Sequence, residues 1–152
     1  MERMTVGEYK VLAKASGKKK TAKTRSVGGT RADIGFFVRS KWEANYVRIL
    51  RFTKTEFEYE KHEFQFPFRR GTRFYMPDFY LPATDQFVEL KGHMDQKSRT
   101  QLSRFLQYNA GQASRMRIVI RKIFVARGGL TTEAAALHSM GYKMEQIVDY
   151  HR

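Results

Sequence analysis

Asp78, Glu89 and Lys91 stand in two short, otherwise apolar and aromatic runs, Tyr75-Met76-Pro77-Asp78-Phe79 and Phe87-Val88-Glu89-Leu90-Lys91-Gly92. Buried charges are unfavourable unless they are paired or hold a metal, so three of them on strand-like sequence call for a shared task. Residues two apart on a strand share a face, which puts Glu89 and Lys91 together and turns Val88 and Leu90 to the other side. Two carboxylates from neighbouring strands repel each other unless a cation lies between them. Mg²⁺ suits such a place, because it takes carboxylate and water oxygens and leaves positions for a phosphate. Asp78 and Glu89 are the expected ligands, with the backbone carbonyl of Leu90 beside them. Lys91 is set to orient or help deprotonate an attacking water and to stabilise charge on a phosphorane. The chemistry these residues point to is phosphodiester hydrolysis.

The elements that must position them are readable from local signals. Ser40-Lys41-Trp42-Glu43 matches the capping box and opens a helix over about 41–52, with Trp42, Tyr46, Ile49 and Leu50 as its expected buried stripe. Glu43 lies in its first turn and, if the helix packs on the sheet, adds a third carboxylate. Phe57-Glu58-Tyr59-Glu60 and then His62, Phe64, Phe66 and Phe68 alternate with polar residues, which is strand periodicity. A turn at 69–72 leads to a return strand over about 73–81 and, through Pro82-Ala83-Thr84-Asp85, to a third strand over 86–91. Pro77 has no amide to donate, so its strand must lie on an edge or break there, and a break aims Asp78 into a cleft.

Beyond Gly92 the pattern predicts a helix over about 96–108, with Leu102, Phe105 and Leu106 inward and Lys97, Arg99 and Arg104 outward. A buried strand over 116–124 and a short helix over 131–138 ending at Gly141 follow, and the last ten residues are ambiguous. This order predicts an α/β fold, a small mixed β-sheet flanked by helices.

The 152-residue chain is large enough for a core without disulfides and contains no cysteine, which removes thiolate metal sites and thiol nucleophiles. No run is apolar enough for a membrane span and the N-terminus lacks a signal-peptide core, so no membrane partner and a cytoplasmic, intracellular location are expected. The net charge of +14 selects a polyanion, with nucleic acid the leading partner. Residues 1–31 hold nine Lys or Arg, including Lys18, Lys19 and Lys20, against Glu2 and Glu8. They are read as a flexible basic N-terminal arm, with residues 32–152 as the folded domain.

The arrangement resembles the PD-(D/E)XK nuclease superfamily, with Pro77-Asp78 and then Glu89-Leu90-Lys91 as its E-x-K element. Arg39-Ser40-Lys41-Trp42-Glu43, Phe57-Glu58-Tyr59-Glu60, Met76-Pro77-Asp78-Phe79-Tyr80-Leu81-Pro82 and Phe87-Val88-Glu89-Leu90-Lys91-Gly92 extend the likeness to phage endonuclease I-type Holliday-junction resolvases, over about residues 39–122. Archaeal resolvases and small phage nucleases of other specificity share the same core, and the resemblance implies a restriction-endonuclease-like core for this α/β fold. The resemblance implies a catalytic set of Glu43, Asp78, Glu89 and Lys91, dependence on Mg²⁺ or Mn²⁺, and a homodimer that cuts opposed strands of branched DNA. Were the chain phage-encoded, its place would be the host-cell cytoplasm.

Phosphate contacts are expected from Arg69, Arg70 and Arg73 at the hairpin tip and from Lys97, Arg99 and Arg104 along one helix face, with Lys18, Lys19 and Lys20 in the arm. Such contacts position DNA without reading its sequence. The four histidines lack the spacing of a zinc site, His62 and His93 included, and neither an H-E-x-x-H nor a P-loop motif occurs. The alternating aromatics read as a core face more readily than as a base-stacking platform. Two alternatives stand beside the resolvase reading: a phage nuclease for single-stranded, flap or linear duplex DNA, and a non-catalytic basic DNA-binding protein.

Overall fold

Ser40 begins the first helix by the chemistry its sequence announces: in extended conformation, its hydroxyl accepts the amide of Glu43 at 3.1 Å. The computed structural model describes residues 28–150. The chain divides into two compact units, one ending at Tyr59 and the other beginning at Glu60.

The first unit contains strands β1 (Gly29–Thr30) and β2 (Phe37–Val38), helix α1 (Lys41–Phe52) and strand β3 (Glu58–Tyr59). β1 and β2 pair antiparallel, with Gly29 opposite Val38 and Thr30 opposite Phe37. Residues 28–31, expected in the arm, are therefore the first strand and turn of a hairpin; the rest of the arm, residues 1–27 with Lys18, Lys19 and Lys20, lies outside the described residues. The hairpin turn is tied to α1 by two arginines. Arg48 grips the Asp33 carboxylate at 2.6 and 3.2 Å, and Arg51 donates to the Asp33 and Ile34 carbonyls at 2.8 Å each.

The buried face of α1 is Glu43, Ala44, Val47 and Leu50, not the stripe expected from its bulkiest side chains. Of that stripe only Leu50 is buried; Trp42 and Tyr46 are half-buried and Ile49 is 52 % exposed. Both rows satisfy the 3.6-residue period, and the row with smaller side chains lets the helix approach its neighbours closely.

The second unit runs β4 (Phe64–Gln65), β5 (Phe74–Tyr75), β6 (Phe79–Leu81), β7 (Gln86–Lys91), α2 (Gln96–Tyr108), α3 (Ala110–Ala113), β8 (Met116–Ile120), α4 (Thr132–Met140), a 3₁₀ turn (Met144–Gln146) and β9 (Ile147–Asp149). β4 and β5 form their own antiparallel ribbon. β6, β7, β8 and β9 lie side by side; β6–β7 is antiparallel, while β7–β8 and β8–β9 are parallel. A parallel neighbour demands a crossover, which α2 supplies between β7 and β8 and α4 between β8 and β9. The fold is α/β with a mixed sheet flanked by helices, as the sequence order predicts.

The core of this unit joins Leu102 and Phe105 of α2 and Ala134 and Leu137 of α4 to Phe87, Ile118, Ile120 and Ile147 of the sheet. Each large apolar side chain buried here contributes about 1.5–3 kcal/mol relative to exposure. β8 stops at Ile120, short of the expected Phe124, because residues 123–131 turn back on themselves: Phe124 bridges to Leu130 around Gly128, whose φ is +87°. α4 starts from Thr131 and ends at Gly141, whose φ of +118° favours glycine. The ambiguous C-terminal stretch holds the 3₁₀ turn and β9. Among the described residues no helix is long and apolar enough to cross a membrane.

Candidate active site

β7 carries the site. Residues Phe87–Leu90 are all buried, and Glu89 and Lys91 continue the row begun by Phe87, facing α2. The expected shared face is realised as a contact: Lys91 Nζ lies 3.0 Å from Glu89 Oε2, with the Glu89 side chain only 5 % and the Lys91 side chain 18 % exposed. Each partner is held at its far end. Tyr75 of β5 donates its hydroxyl to Glu89 Oε1 at 2.5 Å, and Lys91 Nζ donates to Ser98 Oγ at 3.1 Å. Ser98 sits in the first turn of α2, where its amide donates to the capping carboxylate of Asp95 at 2.8 Å.

Asp78 reaches the same strand by a different route. In the β6–β7 register Phe79 faces Val88, so two further steps would set Pro77 opposite Leu90. β5 ends at Tyr75 and β6 starts only at Phe79, so the ladder is broken around the proline. The Leu90 amide there is taken by the Asp78 side chain, Oδ2 accepting it at 2.8 Å. The ladder breaks at Pro77 as its missing amide predicts, and the Asp78 carboxylate, expected to point into a cleft, is instead held on the backbone of β7.

The electrostatics follow from burial and proximity. Burial first, then the negative charges of Glu89 and Asp78, push the Tyr75 phenol well above its ordinary value, so it stays a neutral donor. Burial alone would lower Lys91, but the Glu89 and then the Asp78 carboxylate outweigh it and hold the ammonium above the usual lysine value. In this arrangement Lys91 is a cation shared by two carboxylates.

Glu60 closes the aromatic run Phe57-Glu58-Tyr59-Glu60, and its place in that run assigns it no role. Its amide donates to the Asp78 carbonyl at 2.9 Å, and the two side chains offer carboxylate oxygens within 4.8 Å of each other. Its φ of +48°, uncommon outside glycine, turns the chain at this point. Only the tertiary pairing brings it to Asp78. The Glu60 and Asp78 oxygens are hard donors close enough to share one divalent cation, whereas Glu89, the other expected ligand, is not part of that carboxylate group and meets Lys91 and Tyr75. Glu43, in the first unit, is 4 % exposed and its Oε2 accepts the Tyr59 hydroxyl at 3.1 Å.

The expected phosphate contacts separate into two groups. Arg69, Arg70 and Arg73 are exposed beyond β4 and before β5, and Lys97 is exposed on α2 with Arg99 half-buried beside it. Arg104 is not outward: it donates to the Thr72 carbonyl and stacks on Phe68. His62 is part of an aromatic stack, 4.7 Å from the Tyr80 ring and 5.6 Å from Phe87, whereas His93 is exposed. An open groove of about 870 Å³ between α2 and α4 is lined by Arg99, Thr100, Ser103, Thr132 and Ser139 among others. It lies off the Glu89–Lys91 pair, since Ser98 is not part of its wall.

No known protein family, curated protein or solved structure matches this chain, so the functional reading rests on the site's own chemistry.

Proposed function

We propose that this protein is a metal-dependent, structure-selective endodeoxyribonuclease of the PD-(D/E)XK type, a Holliday-junction resolvase that cuts branched DNA as a homodimer. The observation that carries the reading is the buried Glu89–Lys91 pair with Asp78 fixed against the next residue of the same strand. Asp78 and Glu89, with Glu60 beside Asp78, are the side chains that would hold Mg²⁺ or Mn²⁺ together with the Leu90 carbonyl, and the resemblance alone adds Glu43 to this set. When bound, such an ion lowers the pKa of water and neutralises charge developing on a phosphate. Lys91 stabilises the negative charge of the pentacovalent phosphate and orients the attacking water. Arg69, Arg70, Arg73, Lys97 and Arg99, with Lys18, Lys19 and Lys20, hold the phosphate backbone and favour a DNA shape over a sequence. A junction needs two symmetric cuts, and one centre per chain makes a two-fold pair the economical arrangement. On this reading the protein acts on intracellular DNA in the cytoplasm, the host's if it is phage-encoded.

The test compares a four-way junction with a linear duplex of the same sequence at equal protein and Mg²⁺. Preferential paired cutting of the junction supports the proposal. Equal cutting of the linear duplex, or of flaps and single strands, makes the protein a general nuclease; tight binding without cutting in Mg²⁺ or Mn²⁺ makes it a non-catalytic DNA-binding protein.

A further inference from the structure

Tyr75 is 2 % exposed, and its ring packs at 5.0 Å against that of Phe105. An apolar ring would fill that place as well, and a buried hydroxyl is unfavourable there unless it has a partner. The partner is Glu89 Oε1, one of the two atoms through which Glu89 would act. At the other end, Ser98 is likewise buried and takes Lys91 Nζ. A carboxylate's last torsion is broad and soft, and an ammonium on four methylenes is softer still. Left to themselves, the two side chains could turn so that both Glu89 oxygens face Lys91, whereas here Oε2 meets Lys91 at 3.0 Å and Oε1 takes the Tyr75 hydroxyl.

We propose that Tyr75 and Ser98 are positioning residues that hold the contacting Glu89–Lys91 pair from its two ends, leaving Glu89 Oε2 and the Lys91 ammonium presented side by side to a metal ion and a phosphate. This rests on the nuclease reading and adds two residues that neither the E-x-K spacing nor the carboxylate cluster contains. Tyr75 acts on the carboxylate and therefore on metal affinity. Ser98 acts on the ammonium and therefore on the rate once metal and DNA are bound. Partners that orient a metal ligand are worth on the order of 10- to 100-fold in metal affinity or activity.

The experiment uses the full chain as wild type, Tyr75→Phe, Ser98→Ala and Ser98→Thr. Mn²⁺ alone is titrated into each by calorimetry, single-turnover cleavage of a four-way junction is followed at saturating DNA, and thermal midpoints check the fold. Tyr75→Phe is expected to bind Mn²⁺ about tenfold more weakly and to recover part of its rate as Mn²⁺ is raised. Ser98→Ala is expected to bind Mn²⁺ as the wild type does but to cleave about tenfold more slowly, with Ser98→Thr restoring the rate. Wild-type Mn²⁺ affinity in a folded Tyr75→Phe, or a wild-type rate in Ser98→Ala, overturns the positioning roles while leaving the nuclease reading intact. If Tyr75→Phe does not fold, the two Ser98 variants decide. A wild-type protein that neither binds Mn²⁺ nor cleaves overturns both.

Discussion

The Arg104 guanidinium sits 3.8 Å from the centre of the Phe68 ring and also donates to the Thr72 carbonyl, so an arginine of α2 clamps the loop between β4 and β5. Cation–π stacking of this kind is worth about 0.5–2 kcal/mol. Arg104→Ala is therefore expected to lower the thermal midpoint by several degrees, at about 2–4 °C per kcal/mol for a chain of this size. Arg69→Ala and Arg70→Ala, at exposed positions, are expected to leave stability within about 0.5 kcal/mol and to weaken DNA binding. Thermal melts and binding isotherms of the three variants check the contrast; a stability-neutral Arg104→Ala would return that residue to the DNA-facing set.

Glu89 answers differently to two substitutions. Glu89→Gln keeps an acceptor for the Tyr75 hydroxyl, whereas Glu89→Ala leaves both that hydroxyl and the Lys91 ammonium without their partner. Removing one member of a buried pair costs about 3–5 kcal/mol; both variants lose the ion pair, but Glu89→Gln keeps a hydrogen-bond acceptor there, so chemical denaturation should find Glu89→Ala the less stable of the two. Both Glu89→Gln and Asp78→Asn are expected to abolish Mg²⁺-dependent cleavage while DNA binding persists. Full cleavage by either one would sink the nuclease assignment.

Asp95 caps α2, and the backbone hydrogen bond from Ser98, reinforced by its side chain, lowers the Asp95 carboxyl below its ordinary value. A group whose value is lower in the folded state than in the unfolded chain stabilises the fold above the unfolded value, and that contribution is lost as pH falls through the folded one. The loss belongs below about pH 4. Asp95→Ala should cost about 1 kcal/mol at neutral pH, as removal of a cap does. Asp95→Asn should keep most of that and flatten the acid limb of stability against pH. An acid limb unchanged in Asp95→Asn would show that the cap does not titrate with folding.

The basic segment must be removed with care for the hairpin. Deleting residues 1–27 spares β1, whereas deletion through residue 31 removes a strand that pairs with Phe37–Val38. Without the segment, the plot of log affinity against log salt is expected to flatten by about 0.9 for each phosphate that the segment neutralises. An unchanged slope would place all DNA binding on the remaining chain.

What was legible in the sequence was what local chemistry decides. Ser40 and Gly141 mark helix ends by capping, and the runs at 86–91 and 96–108 carry enough periodicity to give β7 and α2 their bounds. Pro77 announced its own break. The buried face of α1 was not legible, because Trp42, Tyr46 and Ile49 outweigh Ala44 and Val47 in hydrophobicity, yet packing chose the smaller row. Two- and three-residue strands such as β1 and β9 are too short to show a period. Tyr75 and Glu60 had no signal at all: their roles arise from groups that meet only when the chain has folded, fourteen and eighteen residues from their partners.

The hydrogen bond from the Leu90 amide to Asp78 makes that amide a spectroscopic reporter. A backbone proton held by a side chain rather than by a neighbouring strand exchanges with solvent only when that side chain lets go. Its resonance senses the carboxylate's charge directly. The state of Asp78 is thereby written into one peptide group of the strand it serves, where it can be followed without DNA.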